Sequence, residues 1–554
     1  MFNNNKILVV IPVLGTSNGI PRKHIRLLNN KPLISYSINI AKTSQYVDDV
    51  VVTTDDSEIA LISEKFGASV IRRSKELSGD DVPLDAVIYD AMIQKEKQAF
   101  DEYDIVIIIQ PTSPLLKAST LDASIEKFED FNIDTVISIV EDSHLSWGYD
   151  SNNKRFFPNY IERLDKDELP KSFRETGAIV ASRRAYIREI SSIGTSIDLI
   201  ELSDEESISI ENYADWLVVE SRLKRKRVAF VVNANNEIGT RHVYNCLSLA
   251  SKLITHDFIF VLDEHYDSGI KIVKDFGFPC KVYGGTEELF GILSEFNPHI
   301  VVNDILDTSE EYILRLKNEG YFIVNFDDLG VGVEHANIVF DSLYEHDLSE
   351  SNVFTGYKYY VLKDEFYFQP PKVITQSVNN VLIMFEGKDS KNLSARFLDA
   401  ILSTSYDNKI NIIFDAGYEN IEDLISKYES NPLVQIYQNV SNVSEFMFKA
   451  DIIITSASKT MYDACSLAVP TICVCQDELE KTHVFANASN GIINMGLGEE
   501  LTKQEIVAQF VALVNNPEIR IEMNNKMKRI DLKHGFENIE SVIQEKYVEF
   551  EMNK

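Results

Sequence analysis

The sequence predicts an α/β protein, and three observations carry the prediction. Short apolar runs recur along all 554 residues, each within the length of a strand buried on both faces. Amphipathic stretches of helical length separate them. Polar, glycine-bearing segments follow several of these runs, at the strand ends where ligands of open parallel sheets collect.

The first run, Lys6-Ile-Leu-Val-Val-Ile-Pro-Val-Leu14, empties into Gly15-Thr-Ser-Asn-Gly-Ile-Pro-Arg-Lys-His24. A strand that ends in small residues and then basic ones brings backbone N–H groups toward phosphate, which points to a nucleotide. The loop lacks the Gly-Lys-Ser/Thr of the Walker pattern and the glycine spacing of dinucleotide sites. Taken alone it fits an ordinary strand-to-helix connection equally well. Its neighbours shift the balance: Val52-Thr-Thr-Asp-Asp56 closes the next strand, Arg73-Ser-Lys-Glu-Leu-Ser-Gly-Asp-Asp81 lies beyond it, and Gln110-Pro-Thr-Ser-Pro-Leu115 follows the run Ile105 to Ile109. One site at the strand ends can gather all of them.

An amphipathic stretch, Tyr213 to Leu223, is followed by the basic run Lys224-Arg-Lys-Arg227 and a new strand, Val228 to Val232. The basic run reads as the solvated face of a linker. Strands are then expected at Phe258 to Leu262, His299 to Val302, Tyr321 to Asn325 and Ile338 to Asp341. A proline pair in Glu365-Phe-Tyr-Phe-Gln-Pro-Pro371 interrupts the pattern, and a second series follows at Val381 to Phe385, Ile410 to Phe414, Ile452 to Thr455 and Thr471 to Cys475. The expected domains are 1–226, 227–368 and 369–554.

A chain this long exceeds one hydrophobic core, and 44% apolar with 25% charged residues is a globular composition. The formal charge of −32 excludes nucleic acid and anionic membranes as partners but not small anions held by a local basic loop. No run reaches the ~20 apolar residues of a membrane span, and the N-terminus has no signal-peptide pattern, so a cytoplasmic protein is expected. Cys246, Cys280, Cys465, Cys473 and Cys475 are odd in number and lack zinc spacing, which makes them core residues of a reducing compartment.

Residues 1 to about 225 resemble the cytidylyltransferases that make CMP-sialic acid and related CMP-nonulosonates. The resemblance lies in Ser17-Asn-Gly-Ile-Pro-Arg-Lys23, Asn30-Lys-Pro-Leu-Ile34, Thr53-Thr-Asp-Asp-Ser-Glu-Ile-Ala60, Arg73 with Glu76-Leu-Ser78, Gln110-Pro-Thr-Ser-Pro-Leu115 and Phe173-Arg-Glu-Thr-Gly-Ala178. It implies a Rossmann-like nucleotidyltransferase domain with a mixed, mostly parallel sheet. It also implies a reaction in which the anomeric hydroxyl of a nonulosonic acid attacks the α-phosphorus of CTP and releases pyrophosphate. By this resemblance Gly15, Ser17, Gly19, Lys23, Arg73 and Asp80 bind the nucleotide. Gln110, Thr112, Ser113 and Arg174 bind the sugar, Arg174 through its carboxylate, and Lys23 and Arg174 carry the catalytic charge. The family's Asp-x-Asp pair for Mg²⁺ corresponds to Ser209-Ile-Glu211, leaving Glu211 as the metal candidate. The family's arginine, lysine and asparagine are replaced by Leu14, Asn18 and His24. An enzyme with altered metal binding, one with another nucleotide or acceptor, and a degenerate nucleotide-sugar scaffold of a surface-glycan pathway all stay open.

The second half is similar to the UDP-sugar hydrolase of pseudaminic acid biosynthesis. The matching pieces are Val231-Val-Asn-Ala-Asn-Asn-Glu-Ile-Gly-Thr-Arg-His242 with the helix after it, Phe326-Asp-Asp328, Gly387-Lys-Asp389 and Ser456-Ala-Ser458. This implies a two-lobed GT-B-like α/β region with His242 as the base and a UDP-sugar as ligand. Arg241, Asn303-Asp-Ile305, Glu386 and Asp463 depart from that pattern. A homodimer is expected for the whole chain.

Overall fold

The computed structural model describes residues 2–16, 19–79, 81–233, 241–253, 255–343, 352–385, 389, 391–414, 418, 421–438, 440 and 442–554, with the Arg241 side chain set aside. Ser17, Asn18, Asp80, Glu386 and Gly387 lie outside the described residues. The chain forms two compact units, Met1–Arg225 and Lys226–Lys554.

In the first unit, β1 (Ile7–Val13), β2 (Asp49–Thr54), β3 (Ser69–Arg72), β4 (Ile105–Ile109), β5 (Thr135–Glu141), β6 (Phe173–Arg183) and β7 (Ile197–Glu201) make one sheet in the order β7-β5-β6-β4-β1-β2-β3. Every pairing is parallel except those of β6, which runs against both β4 and β5. The sheet is buried on both faces. Ile7, Val9, Ile11 and Val13 of β1 join one core, and the alternate Leu8 and Val10 join another. That two-sided burial is why β1 reads as an unbroken apolar run. Helices α1 (Leu33–Thr43), α2 (Ser57–Lys65), α3 (Leu84–Ala99), α4 (Ala118–Glu126) and α5 (Tyr213–Leu223) complete the layers. Asp56 caps α2 by accepting from Glu58 N at 2.7 Å and Ile59 N at 3.0 Å, and Asn212 with Asp215 forms a capping box on α5. From β1 the chain moves outward through β2 and β3, then crosses back to β4 on the other side of β1. The strand order therefore reverses between β1 and β4, the position where such sheets open a crevice at their carboxyl ends. Away from this sheet, Trp147–Asp150 and Arg155–Pro158 pair as an antiparallel hairpin.

The second unit contains two wholly parallel sheets. Strands β8 (Arg227–Val232), β9 (Asp257–Asp263), β10 (Cys280–Tyr283), β11 (Ile300–Asp304), β12 (Phe322–Phe326), β13 (Ile338–Asp341) and β14 (Val353–Thr355) lie in the order β10-β9-β8-β11-β12-β13-β14. Strands β15 (Asn380–Met384), β16 (Lys409–Phe414), β17 (Val434–Gln438), β18 (Ile452–Ser456), β19 (Thr471–Cys475) and β20 (Ile492–Leu497) follow as β17-β16-β15-β18-β19-β20. Their orders reverse at β8/β11 and at β15/β18. Helix α6 (Arg241–Lys252) follows β8, and α7 (Thr460–Ser466) follows β18.

The two lobes exchange pieces. Tyr360, Leu362 and Phe366, just past the first sheet, belong to the second lobe's core. Helix α8 (Gly535–Met552), beyond the second sheet, buries Ile539 and Tyr547 in the core of the first lobe. Tyr547 meets Phe322 of β12 edge to face, with ring centroids 5.3 Å apart. Gly535 makes this return possible, because a Cβ there would stand 1.8 Å from the Tyr360 carbonyl oxygen. Gly535→Ala is therefore expected to cost about 1–3 kcal/mol by overpacking. Thermal unfolding should read the loss, and hydrogen exchange should rise first in α8 and β12.

Candidate functional site

At the β1/β4 reversal the first unit holds a cavity of about 340 Å³, bordered by Leu14, Thr16, Lys23, His24, Arg73, Gln110, Thr112 and Glu211 among others. Each side chain has a reason to be there. The Gly15 N–H donates to Asp55 Oδ1 at 2.8 Å, which ties the opening loop to the end of β2. Gly19 adopts φ +84°, and a Cβ on it would lie 2.7 Å from the Glu211 carbonyl oxygen, so this loop and the 209–211 segment touch only because the residue is glycine. Lys23 is buried, and its Nζ donates to the Ile210 carbonyl at 2.9 Å. Arg73 donates through Nη2 to the Thr53 carbonyl at 3.0 Å and through Nε to the Thr53 hydroxyl at 3.3 Å. Burial pushes Arg73 down to about 10, so it stays cationic at neutral pH. A chain with an overall charge of −32 thus places two cations on one concave surface.

Two polar atoms in this wall have no hydrogen-bond partner among the described residues. They are the buried Thr112 Oγ1 and His24 Nδ1. Burial and the neighbouring Lys23 charge push His24 down to about 4, leaving it neutral.

The other expected residues distribute as follows. Ser113 is buried beneath the Gln110–Thr112 loop, its N–H facing the Gln110 carbonyl at 3.4 Å. Gly177 of β6, at φ +70°, faces the Gln110 side chain. Arg174, on the same strand, is exposed and does not border the cavity; its Nε pairs with Asp142 Oδ2 at 3.3 Å. Ser17 and Asp80 lie outside the described residues.

For Mg²⁺, Glu211 is the carboxylate at the cavity, and its Oε1 accepts from Ser209 Oγ at 2.8 Å. Asp215 is committed to the backbone N–H groups of Glu211 and Asn212. Among the described residues no group of three or more His, Cys, Asp or Glu is placed to hold a metal. The donor set fits a cation that takes one protein carboxylate and completes its shell with substrate phosphates and water, the usual habit of Mg²⁺.

The second unit brings His242 to a partner that sequence reading had not assigned. Its Nδ1 bonds Asp304 Oδ1 at the end of β11, and Asp304 is buried. Burial opposes charge on His242, but the Asp304 carboxylate outweighs it and the net direction is upward. Nearby, Lys459 of the second lobe pairs with Asp327 of the first, both buried. Together with Cys246, Phe340 and Tyr360 they border a cavity of about 20 Å³, room for about one water. One further bond crosses the lobes, Tyr462 OH to the Ser342 carbonyl, and within the second lobe's core Tyr360 OH donates to Asp463 Oδ1 at 2.6 Å. The sequence signal for Asp304 was an acid ending an apolar run. Asp327 lay within the Phe326-Asp-Asp328 match, but its pairing with Lys459 carried no local signal, because the two meet only through the packing of the lobes.

Comparison with known proteins gives this geometry its setting. The cytidylyltransferase family profile matches residues 8–187. The CMP-N,N'-diacetyllegionaminic acid synthase of Legionella pneumophila is 31% identical over 234 residues, covering 41% of this chain and 100% of that protein. The chain belongs to the cytidylyltransferase family. N-acylneuraminate cytidylyltransferase B of Danio rerio is 31% identical over 217 residues, 38% of this chain and 50% of that one. The chain spans about half the length of the first curated relatives it matches. The solved structure of Acinetobacter baumannii MurG is similar at 16% identity and a TM-score of 0.43, over 58% of this chain and 99% of that one. The fold agrees with the α/β expectation: a mixed, mostly parallel sheet, then two parallel-sheet lobes. No helix among the described residues is long and apolar enough to cross a membrane.

The His242–Asp304 contact has a measurable signature. Asp304→Asn leaves burial as the dominant influence on the imidazole, so His242 should titrate below its ordinary ~6.5 instead of above it, as followed by NMR. A folded-state value raised above the unfolded one stabilises the second unit below pH ~6.5, and that contribution disappears as pH rises through the folded value. The wild type should therefore lose stability over that interval, and Asp304→Asn should not.

Proposed function

We propose that the first unit activates a nonulosonic acid with CTP, giving a CMP-sugar and pyrophosphate. The observation that carries this is the convergence of Lys23, Arg73, Gln110 and Thr112 on one cavity at the strand-order reversal of a cytidylyltransferase sheet. Phosphoryl transfer of this kind depends on alignment and charge neutralisation. Lys23, fixed by the Ile210 carbonyl, and Arg73, fixed by Thr53, hold cations where a triphosphate enters. Gly15 and Gly19 let the loop backbone approach it, and Thr112 offers its unpartnered hydroxyl to a polyhydroxylated acceptor. Arg174 reaches the sugar carboxylate by exchanging Asp142, a surface pair worth no more than ~1 kcal/mol. Glu211 would hold a divalent ion brought with the nucleotide, which would supply neutralisation of phosphate charge. Free thiols and a cytosolic nucleotide substrate fit the cytoplasm.

A homodimer is part of the same reading. The hairpin exposes Trp147, Tyr149, Phe156 and Phe157, and a lone two-stranded hairpin is marginal in water. A second copy of this surface would cover it.

For the second unit, the His242–Asp304 pair favours hydrolysis of a UDP-linked sugar, with the carboxylate orienting the imidazole as a base. The lobes must part to admit such a ligand, since the cavity that Asp304 and Lys459 border now holds about one water.

Wild type given CTP, Mg²⁺ and sialic, legionaminic or pseudaminic acid should release pyrophosphate. Lys23→Ala or Arg73→Ala should lower kcat by about 10²–10³. Failure of all three acids would overturn the reading in favour of a binding scaffold. Phe156→Asp with Phe157→Asp should halve the mass seen by light scattering. UDP release from a UDP-2,4-diacetamido sugar should depend on His242, and equal release by His242→Ala would leave that residue a structural role.

A further inference from the structure

We propose that Ser138 and Thr176 are positioning residues for the sugar acid: their hydroxyls hold a bulge in β6 that sets Gly177 against the Gln110 side chain at the cavity. The inference rests on the reading above, in which CTP and a nonulosonic acid meet there. A polar group buried in a strand is costly unless it is hydrogen-bonded, yet Ser138 stands in the middle of β5 and is fully buried. The register of the neighbouring strand explains it. β6 pairs with β5 at Arg174 with Val140 and Glu175 with Ile139, then again at Val180 with Ile137. From Glu175 to Val180 the chain takes five steps where β5 takes two, so three extra residues leave the ladder as a bulge. On its other edge β6 pairs with β4 as far as Ile179 with Ile109, so the bulge begins where β4 ends and Gln110 follows.

Inside the bulge a side chain replaces the missing rung. Ser138 Oγ accepts from Ile179 N at 2.9 Å and donates to the Ile179 carbonyl at 3.1 Å, so one hydroxyl makes both bonds that a facing strand residue would make. Thr176 Oγ1 lies 2.7 Å from Ser138 Oγ and accepts from Ala178 N at 3.3 Å, which closes the turn around Gly177. Gly177 takes φ +70°, and a Cβ there would stand 3.4 Å from Gln110 Nε2 and 3.6 Å from Gln110 Cδ. The amide of Gln110 therefore rests on the bulge while its residue borders the cavity. An amide held in one place offers donors and an acceptor to the hydroxyls of a sugar acid. The cations facing the nucleotide are held by other groups, Lys23 by the Ile210 carbonyl and Arg73 by the Thr53 carbonyl. The bulge thus acts on one substrate and not on the other.

The test is steady-state kinetics of the full chain with CTP, Mg²⁺ and whichever of the three acids the wild type turns over, with circular dichroism to check that each variant is folded. Thr176→Val keeps the side-chain volume, removes the hydroxyl and leaves Ser138 bonded to Ile179. It should raise KM for the acid by about tenfold, the worth of one hydrogen bond, with KM for CTP and kcat unchanged. Ser138→Ala, the harsher variant, should do the same, and Thr176→Ser should restore wild-type values. In a Gln110→Ala background Thr176→Val should raise KM no further, because the amide through which the hydroxyls act is gone. Equal rises in both KM values, a loss confined to kcat, a full effect persisting in Gln110→Ala, or wild-type kinetics in folded Thr176→Val each overturn the inference while leaving the activity intact. Absence of turnover by the wild type overturns the proposed function and this inference together.

Discussion

A parallel sheet covered on both faces can carry polar chemistry only at its ends, and the placement of every candidate group here follows from that constraint. Strands β1, β8 and β15 are central in their sheets, and their side chains are consumed by packing. Polar residues can accumulate only past the last rung, and two strand ends open side by side only where the order reverses. Each sheet has one such reversal, and each has collected polar groups: Lys23 with Gln110 and Thr112, His242 with Asp304, and Ser456 with Ser458, next to Lys459. In the folded second unit Asp304 and Lys459 border a common cavity. The chemistry differs between sites, but the geometry that created them is the same.

Electrostatics in this protein is local. A formal charge of −32 would repel an anion at a distance, yet screening over about 8–10 Å leaves the field inside a cavity to the groups that line it. In the first unit those groups include cations held by carbonyl oxygens, which orient them without cancelling their charge. In the second unit the cation is matched: Lys459 faces Asp327, and the Lys459 charge holds the Asp327 carboxyl below its usual range despite burial. The first cavity is prepared for an incoming anion. The second satisfies itself while its lobes are together.

The fold was most legible where burial was two-sided and the apolar run unbroken. Runs such as Val9–Ile11, Ile105–Ile109 and Thr471–Cys475 have no polar alternation because no face meets water, and their expected positions agree with the strands found. The strands that escaped reading are β3, β5, β6 and β7 of the first unit and β10, β14, β17 and β20 of the second; most are flanking or half-exposed, and Val434–Gln438 has no fully buried residue, whereas β5, buried from Thr135 to Val140, has its apolar run broken by Thr135 and Ser138. The hairpin at 147–158 escaped for a related reason, since its aromatic residues point into solvent. Within the first site, the residue types announced phosphate chemistry, but only the folded chain separated the cavity-lining Gln110 and Thr112 from the buried Ser113 and the exposed Arg174. His24 was legible only as a departure from a family pattern. Its orphaned nitrogen is a property of packing, which sequence does not display.

The return of α8 to the first lobe has a consequence for the order in which the protein can be made. Strand β14 closes the first lobe's sheet at Thr355, but Ile539 and Tyr547 are synthesised about 180 residues later. At ~5–20 residues per second the nascent lobe waits roughly 10–40 s with an apolar face uncovered. During that interval the second lobe emerges and must fold beside an unfinished neighbour. Among the described residues the core clusters of the first unit draw only on residues before Lys224, so that unit can be complete on the ribosome while the lobes behind it are still exchanging segments.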